Sequence, residues 1–144
     1  MTKRTKAREK IRNHLDARSN HSVVVTKRMA RHWWRVCNVA LFQNKLYPPT
    51  IVIKSLKDWG YCEASYENIT IGLASEIGTR GLFLCTLLHE MVHQWEQQTY
   101  NRMGHGKRFF KWKDRILKEV GLDIDIDLND EDVSYGEKLY KRRY

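Results

Sequence analysis

The chain has 144 residues, 42% of them hydrophobic and 30% charged, with a formal net charge of +9. That suits one compact domain with its own core. No run of about 18 apolar residues occurs, which speaks against a transmembrane helix, and the opening MTKRTKAREKIRNHL lacks the apolar stretch of a secretory signal. Cys37, Cys62 and Cys85 show no framework spacing, which fits a reducing compartment and a cytoplasmic protein.

Residues 1–22 read as a basic N-terminal arm. Residues 1–32 hold ten Lys or Arg against Glu9 and Asp16, a net +8. Such an arm is expected to bind DNA phosphates, the alternative being a solvated tail. Within it, Ala7 to Ala17 allows a marginal helix in which little demands burial. Ser22 to Thr26 is a short β-branched run.

From Met29 the pattern is helical, with Ala30, Trp33, Cys37, Ala40 and Leu41 on one face. Trp34 lies about 100° around from Trp33, a position expected to be half exposed and open to stacking on a nucleic-acid base. Pro48-Pro49 ends this helix before a strand at Ile51-Val52-Ile53. Tyr61 to Ala74 fits one strand, or a hairpin around Glu67-Asn68. A second helix follows, capped by Thr79, with Leu84, Leu88, Met91, Val92 and Trp95 at helical spacing. Phe109, Trp112, Ile116 and Val120 mark a third, which Gly121 ends. Residues 123–144 read as a charged C-terminal tail, in which Ile124, Ile126 and Leu128 alternate with aspartates. That alternation suits either a short edge strand or disorder.

The run Leu88-His89-Glu90-Met91-Val92-His93 in the second helix is an H-E-x-x-H motif. Residues four apart on a helix are offset by roughly 40° and rise about 6 Å. His89 and His93 therefore leave one face, and their rings can converge on one Zn²⁺. Glu90 sits about 100° around from His89. It cannot easily join that chelate, but it can reach a water activated by the metal and take its proton. The competing interpretation is a surface helix with two solvent-facing histidines. Both rings lie near the apolar stripe, where an unpaired polar group is costly.

A catalytic zinc usually takes three protein ligands. Of His14, His21, His32 and His105, only His105 has the reach and the surroundings. A helix ending near Tyr100 travels roughly 10 Å beyond His93, and five extended residues span about 16 Å, enough to return. Gly104 and Gly106 flank His105 and permit unusual backbone angles. A surface turn with an incidental histidine is the alternative.

The segment from Thr86 to Phe110, TLLHEMVHQWEQQTYNRMGHGKRFF, resembles the active-site region of the SprT-like metallopeptidases, which include the Spartan proteases. The likeness extends over roughly residues 25–122. It implies an α+β, zincin-like single domain at 23–122, with a small, mainly antiparallel sheet packed on the active-site helix and flanking helices. It further implies a zinc endopeptidase acting on proteins crosslinked to DNA. One departure stands out: many members carry a cysteine-rich zinc ribbon, and here every cysteine precedes His93.

The expected site is therefore His89, His93 and His105 on Zn²⁺, with Glu90 as the general base. The expected partners are a protein or peptide substrate and DNA, with no membrane. Two alternatives remain open on the residues alone: a DNA-binding module with a structural or inactive zinc site, and a zinc hydrolase of a non-peptide bond. Tyr100, Arg102 and Lys107 are possible oxyanion stabilisers, with nothing to select among them.

Overall fold

The computed structural model describes residues 2–16, 23–65 and 68–124. Four helices and five strands follow in the order α1 (Lys3–Asp16), β1 (Val23–Val24), α2 (Lys27–Leu41), β2 (Thr50–Lys54), β3 (Gly60–Ser65), β4 (Asn68–Ala74), β5 (Glu76–Ile77), α3 (Arg80–Tyr100) and α4 (Lys107–Val120). This is the expected α+β class.

Helix α1 is more than the marginal helix expected. Ala7, Ile11 and Leu15 recur every four residues and are all buried, Ile11 completely. The stripe packs α1 along α2. Arg8 Nε donates to the Ala40 carbonyl (3.0 Å), while His14 lies against Trp33, so the two helices run antiparallel. The Arg8 guanidinium also pairs with Glu119 of α4 at 2.9 Å. Lys3, Lys6 and Lys10 stay exposed, so the charge lies on the outer face of a helix whose inner face is core.

His14 packs against Trp33 in a tilted geometry, with ring centroids 4.2 Å apart. Burial, then the charges of Arg80 and His32, push its pKa down to about 4. An unfolded histidine takes its proton near pH 6.5. Between those values the unfolded chain binds more protons, so stability is expected to fall as pH drops from about 6.5 towards 4. Urea unfolding across that range checks this, and His14→Gln should flatten the slope.

Thr26 caps α2 by accepting from Met29 N–H (3.1 Å). Trp34 is only 5% exposed, contrary to the half-exposed position expected. Its indole N–H donates to Gln94 Oε1 of α3 (3.0 Å), which makes it an internal strut unavailable for stacking on a base. After α2, buried Asn38 binds both the N–H and the carbonyl of Leu46, fixing the turn that leads into Pro48-Pro49.

The main sheet has the order β2-β4-β3, with β2–β4 parallel and β3–β4 antiparallel. Glu67 lies outside the described residues, but Ser65 pairs with Asn68, as the hairpin alternative required. β1 and β5 form a separate two-residue antiparallel pair. Ile51, Ile71 and Leu73 turn inward into the core. Gly60 permits a close approach there: a Cβ would stand 2.8 Å from Thr86 Cγ2 and 2.9 Å from the Gly72 carbonyl.

Helix α3 is capped by Thr79, whose hydroxyl accepts from Leu82 N–H (3.0 Å). Buried on nearly every face from Gly81 to Glu96, it is the core helix around which the other elements pack. Gln94 and Gln98 clip the Lys45–Tyr47 loop to it through the Lys45 carbonyl and both backbone groups of Tyr47. Helix α4 buries Phe109, Trp112, Ile116 and Val120, the stripe expected, and stops at Gly121 with φ 78°. Ile126, Leu128 and the rest of the 125–144 segment lie outside the described residues, as do residues 17–22. No described helix is long and apolar enough to cross a membrane.

Candidate metal centre

Helix α3 carries His89 and His93 one turn apart, and the loop between α3 and α4 brings His105 back to them. His89 Nε2 lies 3.2 Å from His93 Nε2 and 3.2 Å from His105 Nε2, and the ligand atoms of all three lie within 4.8 Å of one another. Nitrogens bound to zinc at about 2.0–2.1 Å on tetrahedral corners stand roughly 3.3–3.4 Å apart. The two short separations match that edge. Among the described residues these three form the group that can hold a metal ion.

The protonation chemistry agrees with this. Burial, then the neighbouring His89 and His105, push His93 down to about 4, which keeps it the neutral imidazole a metal requires. His89 Nδ1 donates to the Ile124 carbonyl at 2.8 Å, leaving its Nε2 lone pair facing the other two rings. His93 Nδ1, by contrast, is buried without a hydrogen-bond partner. The donor set fits a divalent metal.

Packing holds the rings. Phe109, fully buried on the first turn of α4, touches all three. Its ring centroid lies 4.9 Å from His89, 5.4 Å from His93 in a stacked geometry, and 4.7 Å from His105 edge-on. One apolar side chain thus packs against all three rings.

Glu90 is 5% exposed, and burial pushes its carboxyl up to about 8. A divalent cation beside it would favour the ionised form. Burial, Glu90 and Glu63 together raise the Cys62 thiol to about 12, which places Cys62 of β3 near Glu90. Gly60 meets Thr86 and Cys62 lies near Glu90. Two strand residues rise roughly 6.6 Å and four helix residues about 6 Å, so β3 runs alongside α3 in the same direction. Among the described residues β3 is also an edge strand, with β4 as its sheet neighbour.

Gly104 and Gly106 do not play the part expected of them. Gly106 sits at φ −94° as the N-cap of α4, and a Cβ at either glycine would meet nothing within 4 Å. Tyr100 lies exposed under the Arg108 guanidinium, 3.7 Å from its ring centroid. Arg102 and Lys107 line a hollow of about 400 Å³ with Glu96, beside the His105 loop. His32 is exposed and His14 packs on Trp33, and neither belongs to the metal cluster. His21 lies outside the described residues. The chain's return through Asp123 and Ile124 to the first ligand had no signal in the sequence beyond one isoleucine in an acidic stretch.

An α+β domain whose core helix presents two histidines, joined by a third from the following loop, has a candidate metal centre. The chain belongs to the SprT-like family, whose model matches residues 12–128 and so covers most of the chain, from the last turn of α1 onward. No curated protein matches it.

Proposed function

We propose that the chain is a zinc-dependent endopeptidase in which His89, His93 and His105 hold the metal and Glu90 is the general base. The observation that carries this reading is the convergence of the three Nε2 atoms, with buried Glu90 beside His89. Zinc bound there would supply Lewis-acid polarisation of a carbonyl and activation of a water. Glu90 would accept the proton of the attacking water and deliver it to the departing amine nitrogen. Burial keeps bulk water away from that transfer. Metal-dependent digestion of an unfolded protein, abolished by a chelator and restored by zinc, tests this reading.

The edge strand favours a peptide bond over other hydrolysable bonds. Among the described residues β3 has no strand on its outer edge, along the same stretch of α3 that carries Glu90, and an extended peptide can add there as a further strand. Its small, partly buried residues Gly60 and Cys62 let strand and helix approach closely. A structural zinc site has no use for a buried carboxyl at this position, which weighs against an inactive DNA-binding module.

DNA-associated proteins are the proposed substrate class, supported by the net charge of +9 and by the exposed lysines of α1. Because Ile11 and Leu15 are core, neutralisation is the informative change and truncation is not. The triple variant Lys3→Gln, Lys6→Gln, Lys10→Gln should keep its fold and bind DNA more weakly. The log–log salt slope should become shallower by about 0.9 per lost duplex contact, or about 0.7 on single strands. Titrations at several salt concentrations measure this. An unchanged slope would make the α1 face merely solvated and turn attention to Arg102, Lys107, Arg108 and Lys111.

A further inference from the structure

Beyond α4 the chain makes a short return that the mechanism above does not use. Gly121 reverses the backbone, and Leu122, Asp123 and Ile124 are then 2%, 4% and 0% exposed. An irregular segment so deeply buried must place its backbone groups on partners. Two of those partners lie one turn apart on α3. The Cys85 thiol donates to the Asp123 carbonyl (2.8 Å), and His89 Nδ1 donates to the Ile124 carbonyl (2.8 Å).

We infer that residues 122–124 form a strap that orients the first metal ligand, and that Cys85 is a positioning residue which holds the strap in register. The inference rests on the metal-site reading above. The Ile124 carbonyl keeps the His89 proton on Nδ1 and so directs Nε2 at the ion, while fixing the ring's rotation. A backbone carbonyl can do this only if its peptide is held. Cys85 holds the neighbouring one, and the Ile124 side chain, fully buried, anchors the other side. Burial and the Asp123 carboxylate raise the Cys85 thiol, so it remains an S–H donor and is a poor thiolate ligand. Its separation by one turn from His89 therefore serves the second layer of the site.

The test uses the full chain. Zinc affinity is measured by competition with a chromogenic chelator, and the His89 tautomer by ¹⁵N correlation of the imidazoles in the metal-free protein. Parent protein should show His89 as the Nδ1–H form. Cys85→Ala should lower zinc affinity by about tenfold, the lower end of the 10–100-fold range for outer-shell partners, and should leave His89 in mixed tautomers. Cys85→Ser, which keeps a donor, should recover most of both. Cys37→Ala is the control for cavity formation, because Cys37 is equally buried on α2 and outside the metal cluster. It should lose stability with zinc affinity unchanged.

Three results overturn the strap: a Cys85→Ala affinity within twofold of the parent, a loss that Cys37→Ala reproduces, or a parent His89 in the Nε2–H form. Failure of the parent to bind zinc at all overturns the metal-site reading instead, so the two failures are distinguishable. Should Cys85→Ala not fold, the parent tautomer measurement alone still decides.

Discussion

Glu90→Gln is expected to reduce proteolysis by about 10²–10⁴-fold, the usual contribution of a positioned general base, while zinc stays stoichiometric. The amide keeps the shape of the side chain but cannot accept a proton from the attacking water. It also suits the site sterically and electrically, since burial already favours the neutral carboxyl there, up to about pH 8. The variant should therefore fold at least as well as the parent, which makes lost activity a statement about chemistry and not about stability. Metal analysis and a cleavage assay on the same preparation check both halves. Undiminished cleavage would remove Glu90 from the mechanism. Loss of zinc together with activity would show that the side chain supports the metal site.

The second large effect is expected at the loop ligand. His105→Ala removes one of three nitrogen donors. It should weaken zinc binding by well over the roughly 10–100-fold that loss of an outer-shell partner costs. His105 is exposed and follows the helix end, so the fold has little to lose with it. His32→Ala, at an exposed site on α2, should leave affinity untouched, and so should His14→Ala, whatever it does to stability. Equilibrium zinc competition separates these outcomes. If His105→Ala held zinc as tightly as the parent, the third ligand would have to be sought elsewhere in the chain.

The residues that had to face one another on a single helix were legible from their spacing. His89, Glu90 and His93 share one element, and helical geometry alone sets their relation. The stripe from Phe109 to Val120 was legible for the same reason. The placement of His105 needed only a chain-length argument.

What escaped was whatever depended on partners distant in sequence. Trp34 looked half exposed because its own helix faces say nothing about Gln94, sixty residues later. The basic character of α1 hid three buried residues, because ten cations in 32 residues dominate composition while Ala7, Ile11 and Leu15 form a stripe only four residues in pitch. Gly104 and Gly106 suggested unusual backbone angles, but the left-handed residue after α3 is Asn101, with φ 57°. The Ile124 carbonyl lay outside any side-chain pattern, since a backbone group carries no letter in the sequence.

The Phe109 ring has a consequence for how ligand roles can be apportioned. Three nitrogens that rest on one side chain do not occupy independent positions. A change that tilts one imidazole shifts the surface supporting the other two, so the free energies of the ligands are coupled through that ring. Losses measured one histidine at a time will consequently not sum to the affinity of the whole centre. The centre is better treated as a single cooperative unit spanning two helices, in which the aromatic residue of α4 transmits between the histidines as a bound ion would.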